Sequence, residues 1–285
     1  MIRTVVALAG LALAALLGAV QLASSAAYGD LAVRPSLPAT LHDRAPALFR
    51  PLLGSTRARA AAAVHDGDLA TAERLAATLP DDAETADVRG RIAQARGDRD
   101  AAVQLYVRAG DVVRAQALID ALAATSPDLA LADQALLVAA HQDDANAGEV
   151  RGEAWWRLGQ LQAAAGYRDP RHRADFWRKA EASYERALDL APNEETYLLA
   201  AGFQSLANGD VAAAARWYAR AADVVPNSAD AYAGLAWTAA ASHDCARARD
   251  SLARARELRA AMTAAPALDP VDAPLVGPAL KRCTT

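Results

Sequence analysis

The sequence predicts an all-α chain of helix–turn–helix units, and three observations carry that prediction. A five-residue spacing recurs: an Asp, usually after Gly, with Ala four positions later. It appears at Gly67-Asp68…Ala72, Gly97-Asp98…Ala102, Gly110-Asp111…Ala115 and Gly209-Asp210…Ala214, and weakened at His243-Asp244…Ala248. Gly closes one helix in the left-handed conformation and Asp caps or charges the first turn of the next. The second observation is a period of 34 residues that links Ala180, Ala214 and Ala248, then Tyr184, Tyr218 and Leu252, and then Ala187, Ala221 and Ala255. Pro192 and Pro226 share that period. The third is composition. Of 285 residues 53% are hydrophobic but only 5% aromatic, and no segment reads as a convincing strand. Ala-rich helices bury thin cores, so each hairpin depends on its neighbours.

The columns have a packing reason. Small residues at Gly159, Gly202, Ala180 and Ala214 let paired helices approach, Tyr184 and Tyr218 fill the gap to the next unit, and Pro192 and Pro226 end the second helices. With Trp155 and Leu158-Gly159 as the first-helix half, the pattern over residues 152–262 resembles the tetratricopeptide repeat family, whose unit is a 34-residue helix–turn–helix. The resemblance implies a TPR-like solenoid that binds protein partners. It departs from the family between Trp155 and Ala180, where about nine extra residues are placed near Gly166-Tyr167-Arg168-Asp169-Pro170. The period also fails upstream, so residues 55–145 are expected to form irregular hairpins and 146–262 about three regular repeats.

The flanks differ in kind. Arg3 precedes an uncharged stretch from Thr4 to Gly29, expected as an N-terminal apolar helix within 1–27. Two readings stay open. It is long enough for a single-pass anchor with about 20 apolar residues, and Ser25-Ala26-Ala27 also suits a signal-peptide cleavage site. The first places the chain in a bacterial inner membrane with a periplasmic C-terminal domain. The second leaves it periplasmic or secreted. Pro35, Pro38, Pro46 and Pro51 make 28–54 a spacer, and four further prolines make 263–285 a tail that returns to the last repeat. In an exported chain a Cys245–Cys283 disulfide would staple that tail down; two free thiols are the alternative.

Chemistry is thinly signalled. The five His residues show no metal-ligand spacing, and no nucleophile elbow or phosphate loop is present. No catalytic residue, cofactor or metal ligand is expected, and His243-Asp244-Cys245 reads as a turn. A net charge of −4 offers no field for nucleic acid.

Binding remains. In the family the first helix of each unit lines the concave face. The resemblance then places Trp156 and Gln160, Leu199 and Phe203, and Ala233 and Trp237 on it, with Glu153, Thr196 and Asp230 in a further column. Such a groove suits an apolar or basic peptide, or sugar rings stacked on indole. Packing of the same aromatics against a neighbouring helix or the tail is the competing expectation. The Arg-rich insertion, with Tyr167, Phe176 and Trp177, could meet anionic head groups or polysaccharide, or simply be a turn and a longer helix. The leading expectation is a noncatalytic scaffold for envelope assembly or export. The alternative is a glycan- or lipid-binding module of envelope polysaccharide biogenesis.

Overall fold

A computed structural model describes residues 56–140, 148–261, 270 and 277–284. The apolar N-terminal stretch and the spacer lie outside these residues. Among the described residues all regular structure is helical, apart from one 3₁₀ residue at Pro270. The chain divides into two compact units, residues 1–121 and 122–285.

In the first unit α1 (Thr56–His65) pairs with α2 (Leu69–Ala77), and α3 (Ala83–Arg96) with α4 (Arg99–Ala109). α3 also packs on α1 and α2. The start of α5 (Val112–Thr125) completes this unit. The second contains α6 (Pro127–Ala140), α7 (Gly148–Arg168), α8 (Arg173–Leu190), α9 (Glu195–Ala207), α10 (Val211–Val224), α11 (Ala229–Ala241), α12 (Cys245–Ala260) and α13 (Gly277–Thr284). Here α7 with α8, α9 with α10 and α11 with α12 form hairpins, and the second helix of each packs on the first helix of the next where one follows.

The Gly-Asp turns work as their chemistry dictates. Gly67, Gly97, Gly110 and Gly209 take φ of +76 to +86°, and His243 takes the same left-handed conformation at 62°. Asp68, Asp98, Asp210 and Asp244 then cap α2, α4, α10 and α12 by accepting from the backbone N–H three residues on. Asp111 accepts from the Arg114 N–H in the same way. The Thr71 hydroxyl and N–H hold the Asp68 carboxyl below its ordinary value.

The helices are fastened by one repeated device, an aromatic ring laid over glycine. A Cβ on Gly159 would stand 2.6 Å from the Tyr184 ring, and one on Gly202 would stand 3.0 Å from the Tyr218 ring. Tyr218 reaches two helices at once, because a Cβ on Gly234 of α11 would stand 2.1 Å from the same ring. Where irregular hairpins are expected, α3 and α4 use the device too: a Cβ on Gly90 would meet the Tyr106 ring at 2.9 Å. Ala102, Tyr106 and Ala109 repeat the Ala, three residues, Tyr, two residues, Ala order of the second unit. This hairpin is therefore regular in its packing, though it falls outside the 34-residue period.

The hydroxyls of these rings differ. Tyr106 Oη donates to Gln94 Oε1 at 2.7 Å, whereas the buried Tyr218 Oη has no hydrogen-bond partner among the described residues. Burial pushes the Tyr106 phenol up to about 12 and raises that of Tyr218 as well. A lost buried hydrogen bond costs about 1 kcal/mol, while deleting an unpaired buried hydroxyl removes a desolvation cost. Tyr106→Phe should therefore lower stability by about 1 kcal/mol in a denaturant titration, and Tyr218→Phe should leave it unchanged or higher. Equal losses in both variants would refute the difference.

The insertion lengthens helices and makes no loop. Relative to α9 and α10 measured from their packing Gly and Tyr, α7 runs four residues further, α8 starts four earlier, and the turn gains one. Only Asp169-Pro170 interrupts otherwise helix-compatible residues, because Pro bars the helical region for the residue before it. A second ring-over-glycine pair, Trp177 on Gly166, zips the extension, and the Trp177 indole donates to the Ala163 carbonyl at 3.3 Å.

Candidate functional site

The first unit contains a groove of about 640 Å³ on the side where α1, α3 and α5 line up. Its apolar wall is Ala61 and Val64 from α1, Ala95 from α3, and Ala117 and Leu118 from α5. Its polar members are His65, Arg91, Gln94, Tyr106 and Arg114. α1 and α3 are the first helices of their hairpins, and α5 adds the third side of the groove. Tyr106 reaches the groove from α4 because Gly90 leaves space for its ring, and Gln94 anchors its hydroxyl there.

The charges of the groove are matched locally. Arg91 Nη2 and Arg114 Nη1 grip the two oxygens of Asp87 at 2.7 and 2.8 Å, and Arg114 Nη1 also reaches Asp111 at 3.0 Å. The Arg114 guanidinium lies 5.6 Å from the Tyr106 ring centre. Two guanidiniums thus face two carboxylates. The surface left for a partner is an apolar trough with hydrogen-bonding edges and little net charge.

The second unit distributes the sequence-predicted groove residues as follows. Trp156 is half-buried and stacks on Tyr197 at 5.8 Å, with its indole N–H unpaired among the described residues. Phe203 meets Trp237 edge-on at 6.4 Å, and Tyr218 meets Trp237 at the same separation. Leu199 is half-buried, Ala233 is buried, and Gln160 and Thr196 are exposed. Glu153 is exposed and paired with Arg157 at 2.8 Å, and Asp230 with Arg259 at 2.7 Å. The acidic character expected of this face is therefore partly neutralised within the chain.

Trp237 is not open to a partner. Its indole donates to the Pro270 carbonyl at 2.9 Å, and Pro270 is fully buried. α13 then covers the end of the last hairpin, packing Leu280 and Cys283 on Ala236, Ala239, Ala240, Ala248 and Leu252. Cys283 is joined to Cys245, the first residue of α12, with S–S 2.04 Å.

The basic insertion is largely spoken for. Arg168 pairs with Asp128, Asp169 with His172, and Asp175 with both Arg178 and Lys179. These partners hold the Asp169 and Asp175 carboxyls below the ordinary range, the His172 ring acting most on the first and Lys179 on the second. Glu181 bonds Ser205 and Asn208 and so ties the hairpin to α9. Tyr167 stays 45% exposed, while Trp177 is buried and holds it edge-on at 5.2 Å.

Among the described residues no three His, Cys, Asp or Glu side chains stand close enough to share a metal ion. No described helix is long and apolar enough to cross a membrane.

The sequence reading missed the first-unit groove because Ala61, Ala95 and Ala117 carry no chemical signature. A 16-residue Gly-to-Tyr separation, shared by Gly90–Tyr106 and Gly202–Tyr218, is the signal that locates it.

No protein-family profile matches the chain, and no curated protein matches it. Similar solved structures include the crystal structure of MamA protein, at TM-score 0.47 and 17% identity over 65% of this chain and 98% of that one. Another is Pseudomonas aeruginosa pilF, at TM-score 0.42 and 14% identity over 73% and 91%. BtubC from P. vanneervenii is similar at TM-score 0.44 and 16% identity over 88% and 94%. The described residues form an all-α array of helical hairpins whose packing resembles that of tetratricopeptide repeats.

Proposed function

We propose that this protein is a noncatalytic interaction scaffold that holds a segment of a protein partner on the first-helix face of its hairpins. One observation carries the reading: the first-unit groove, whose wall of Ala and Leu is open and whose rim charges are already paired. Such a trough fits an amphipathic helix or an extended apolar segment. A strongly charged partner would have to displace Asp87 or the two Arg side chains.

The proposed setting is the extracytoplasmic side of a bacterial membrane, in envelope assembly or export. The uncharged stretch 4–29 behind Arg3 supports it, as an anchor or a cleaved signal. The Cys245–Cys283 bond supports it too, since disulfides persist in oxidising compartments.

Filling the groove tests the reading. Ala117 is exposed on its wall, so Ala117→Arg can enter the trough without disturbing the core. The variant should keep the helical circular dichroism and melting temperature of the parent. It should also lose at least tenfold of the partner recovered when the tagged chain is purified from its own cells. Undiminished recovery would contradict the groove assignment.

A further inference from the structure

α6 turns an uncharged apolar face to solvent. Among the described residues five large hydrophobic side chains are exposed, and two of them, Leu129 at 46% and Leu136 at 42%, stand on this helix. The rest of the exposed stripe is Ala132, Ala135, Ala139 and Ala140, so beyond Asp128 in the first turn it carries no polar residue. α8 of the same unit shows the ordinary pattern, with Arg178, Lys179, Glu185 and Arg186 exposed. The other side of α6 is already committed. Val138 packs with Ala154 and Leu158 of α7, and Gln134 Nε2 donates to the Ala154 carbonyl at 3.1 Å. The helix is thus fixed in rotation, and Leu129 and Leu136 cannot turn inward.

The order of the exposed residues indicates what fits them. Leu129, Ala132, Leu136 and Ala139 are spaced three, four and three, the spacing of a coiled-coil seam, and large alternates with small along it. Two copies of α6 laid parallel would set Leu against Leu and Ala against Ala, leaving a gap at each Ala layer. Laid antiparallel about a two-fold axis, Leu129 faces the partner's Ala139 and Leu136 faces the partner's Ala132. Every leucine then meets an alanine, and the helix axes can approach to about 8 Å. The two-fold repeats each contact, as an isologous interface requires.

Charge favours the same arrangement. Asp128, paired with Arg168 at 3.3 Å, is the one charged residue of the stripe. Antiparallel pairing puts the two Asp128 carboxylates at opposite ends of the seam, about 18 Å apart and so beyond the screening length of about 8 Å. Parallel pairing would set them side by side. Antiparallel helices also bring the positive end of each helix dipole beside the negative end of the other.

We propose that the partner of this face is a second copy of the chain, joined antiparallel along α6 into a two-fold dimer. The seam is one helix of 14 residues. Its area falls at the small end of specific interfaces, under about 1,200 Å² in total, so the dimer is weak and concentration-dependent. It does not depend on the groove of the first unit, which Ala117→Arg reads separately.

Cysteine cross-linking of the full chain tests the pairing and its direction. Two differently tagged forms, one with Leu129→Cys and one with Ala139→Cys, would be mixed at about 100 μM, where a dimer of this size is populated, and oxidised with copper phenanthroline. The mixture should give a disulfide-linked product carrying both tags. Either form alone should give about tenfold less, because like positions lie about 15 Å apart along an antiparallel seam. Leu136→Glu in both forms should lower the yield about tenfold with the helical circular dichroism unchanged, since it puts a charge into the seam. Ala132→Leu should lower it too, while the swap Ala132→Leu/Leu136→Ala, which again sets large against small, should restore it. Product from the single forms equal to that from the mixture would overturn the antiparallel seam. No product from the mixture, or a product that survives Leu136→Glu, would overturn the dimer and leave the face to a different partner.

Discussion

Replacing Gly234 by Ala is expected to destabilise the second unit by roughly 3 kcal/mol, a large effect for one methyl group. The Cβ would stand 2.1, 2.3 and 2.4 Å from three carbons of the Tyr218 ring, distances that no pair of carbon atoms sustains. The ring has little room to retreat, because the Cβ position of Gly202 lies only 3.0 Å from it as well. The same substitution at Gly202 is expected to behave differently. There the ring has only to give by a few tenths of an ångström, and Ala in a helix regains about 0.5–1 kcal/mol of backbone entropy lost by Gly. Gly202→Ala should therefore stay within about 1 kcal/mol of the parent. Urea titrations of the two variants read the contrast. The double variant Gly234→Ala/Tyr218→Leu should lose less than the sum of the single losses, since the deleted ring is what the new methyl meets. Additive losses would mean that the Tyr218 wedge does not join α10 to α11.

The second large effect concerns the tail. Removing both cysteines as Cys245→Ser/Cys283→Ser should cost about 3–4 kcal/mol, the chain-entropy contribution of a cross-link spanning 38 residues. The loss should be confined to the unit that contains it. The two compact units need not melt together, so the variant is expected to shift one calorimetric transition and leave the other. A uniform shift of the whole endotherm would contradict that division.

Much of the fold was legible because its determinants are local. A left-handed Gly before a capping Asp is a short-range instruction, and at Gly67, Gly97, Gly110 and Gly209 the backbone follows it. His243 obeys the same instruction at φ 62°, which shows that the turn is imposed by the helices on either side, since a side chain there costs about 1–2 kcal/mol. The Ala and Tyr columns were legible for a related reason: a ring over a small residue leaves an imprint at fixed spacing. The α3–α4 hairpin was expected only as an irregular one, because the period was sought between units, while the device that builds it is internal to one, from Gly90 to Tyr106.

The site was less legible, and the reason is physical. A groove is made by what is absent, and Ala61, Ala95 and Ala117 line one by being small. Arg91 and Arg114 read in the sequence as ordinary charged residues, and only the fold shows them closing on Asp87. Likewise the resemblance implied a shared face for Trp156, Phe203 and Trp237, but the bond from Trp237 to the Pro270 carbonyl depends on a residue 33 positions away. The Arg-rich insertion was legible as one of two alternatives. Its charges left open an anionic partner or a turn and a longer helix, and i,i+3 and i,i+4 pairing around Asp175 favours the longer helix.

The first-helix face is the centre of this account, and site-specific photo-crosslinking tests it most directly. A photoreactive residue would be placed at Ala61 or Ala117 in the groove, and at Val113 as a control that is 80% exposed on the same unit and absent from the groove lining. Irradiation in the cells that make the protein should give a discrete adduct from the groove positions, absent with Val113, and Ala95→Arg within the groove should abolish it. An adduct of the same mass and yield from Val113, or one that survives Ala95→Arg, would place the partner elsewhere on the chain.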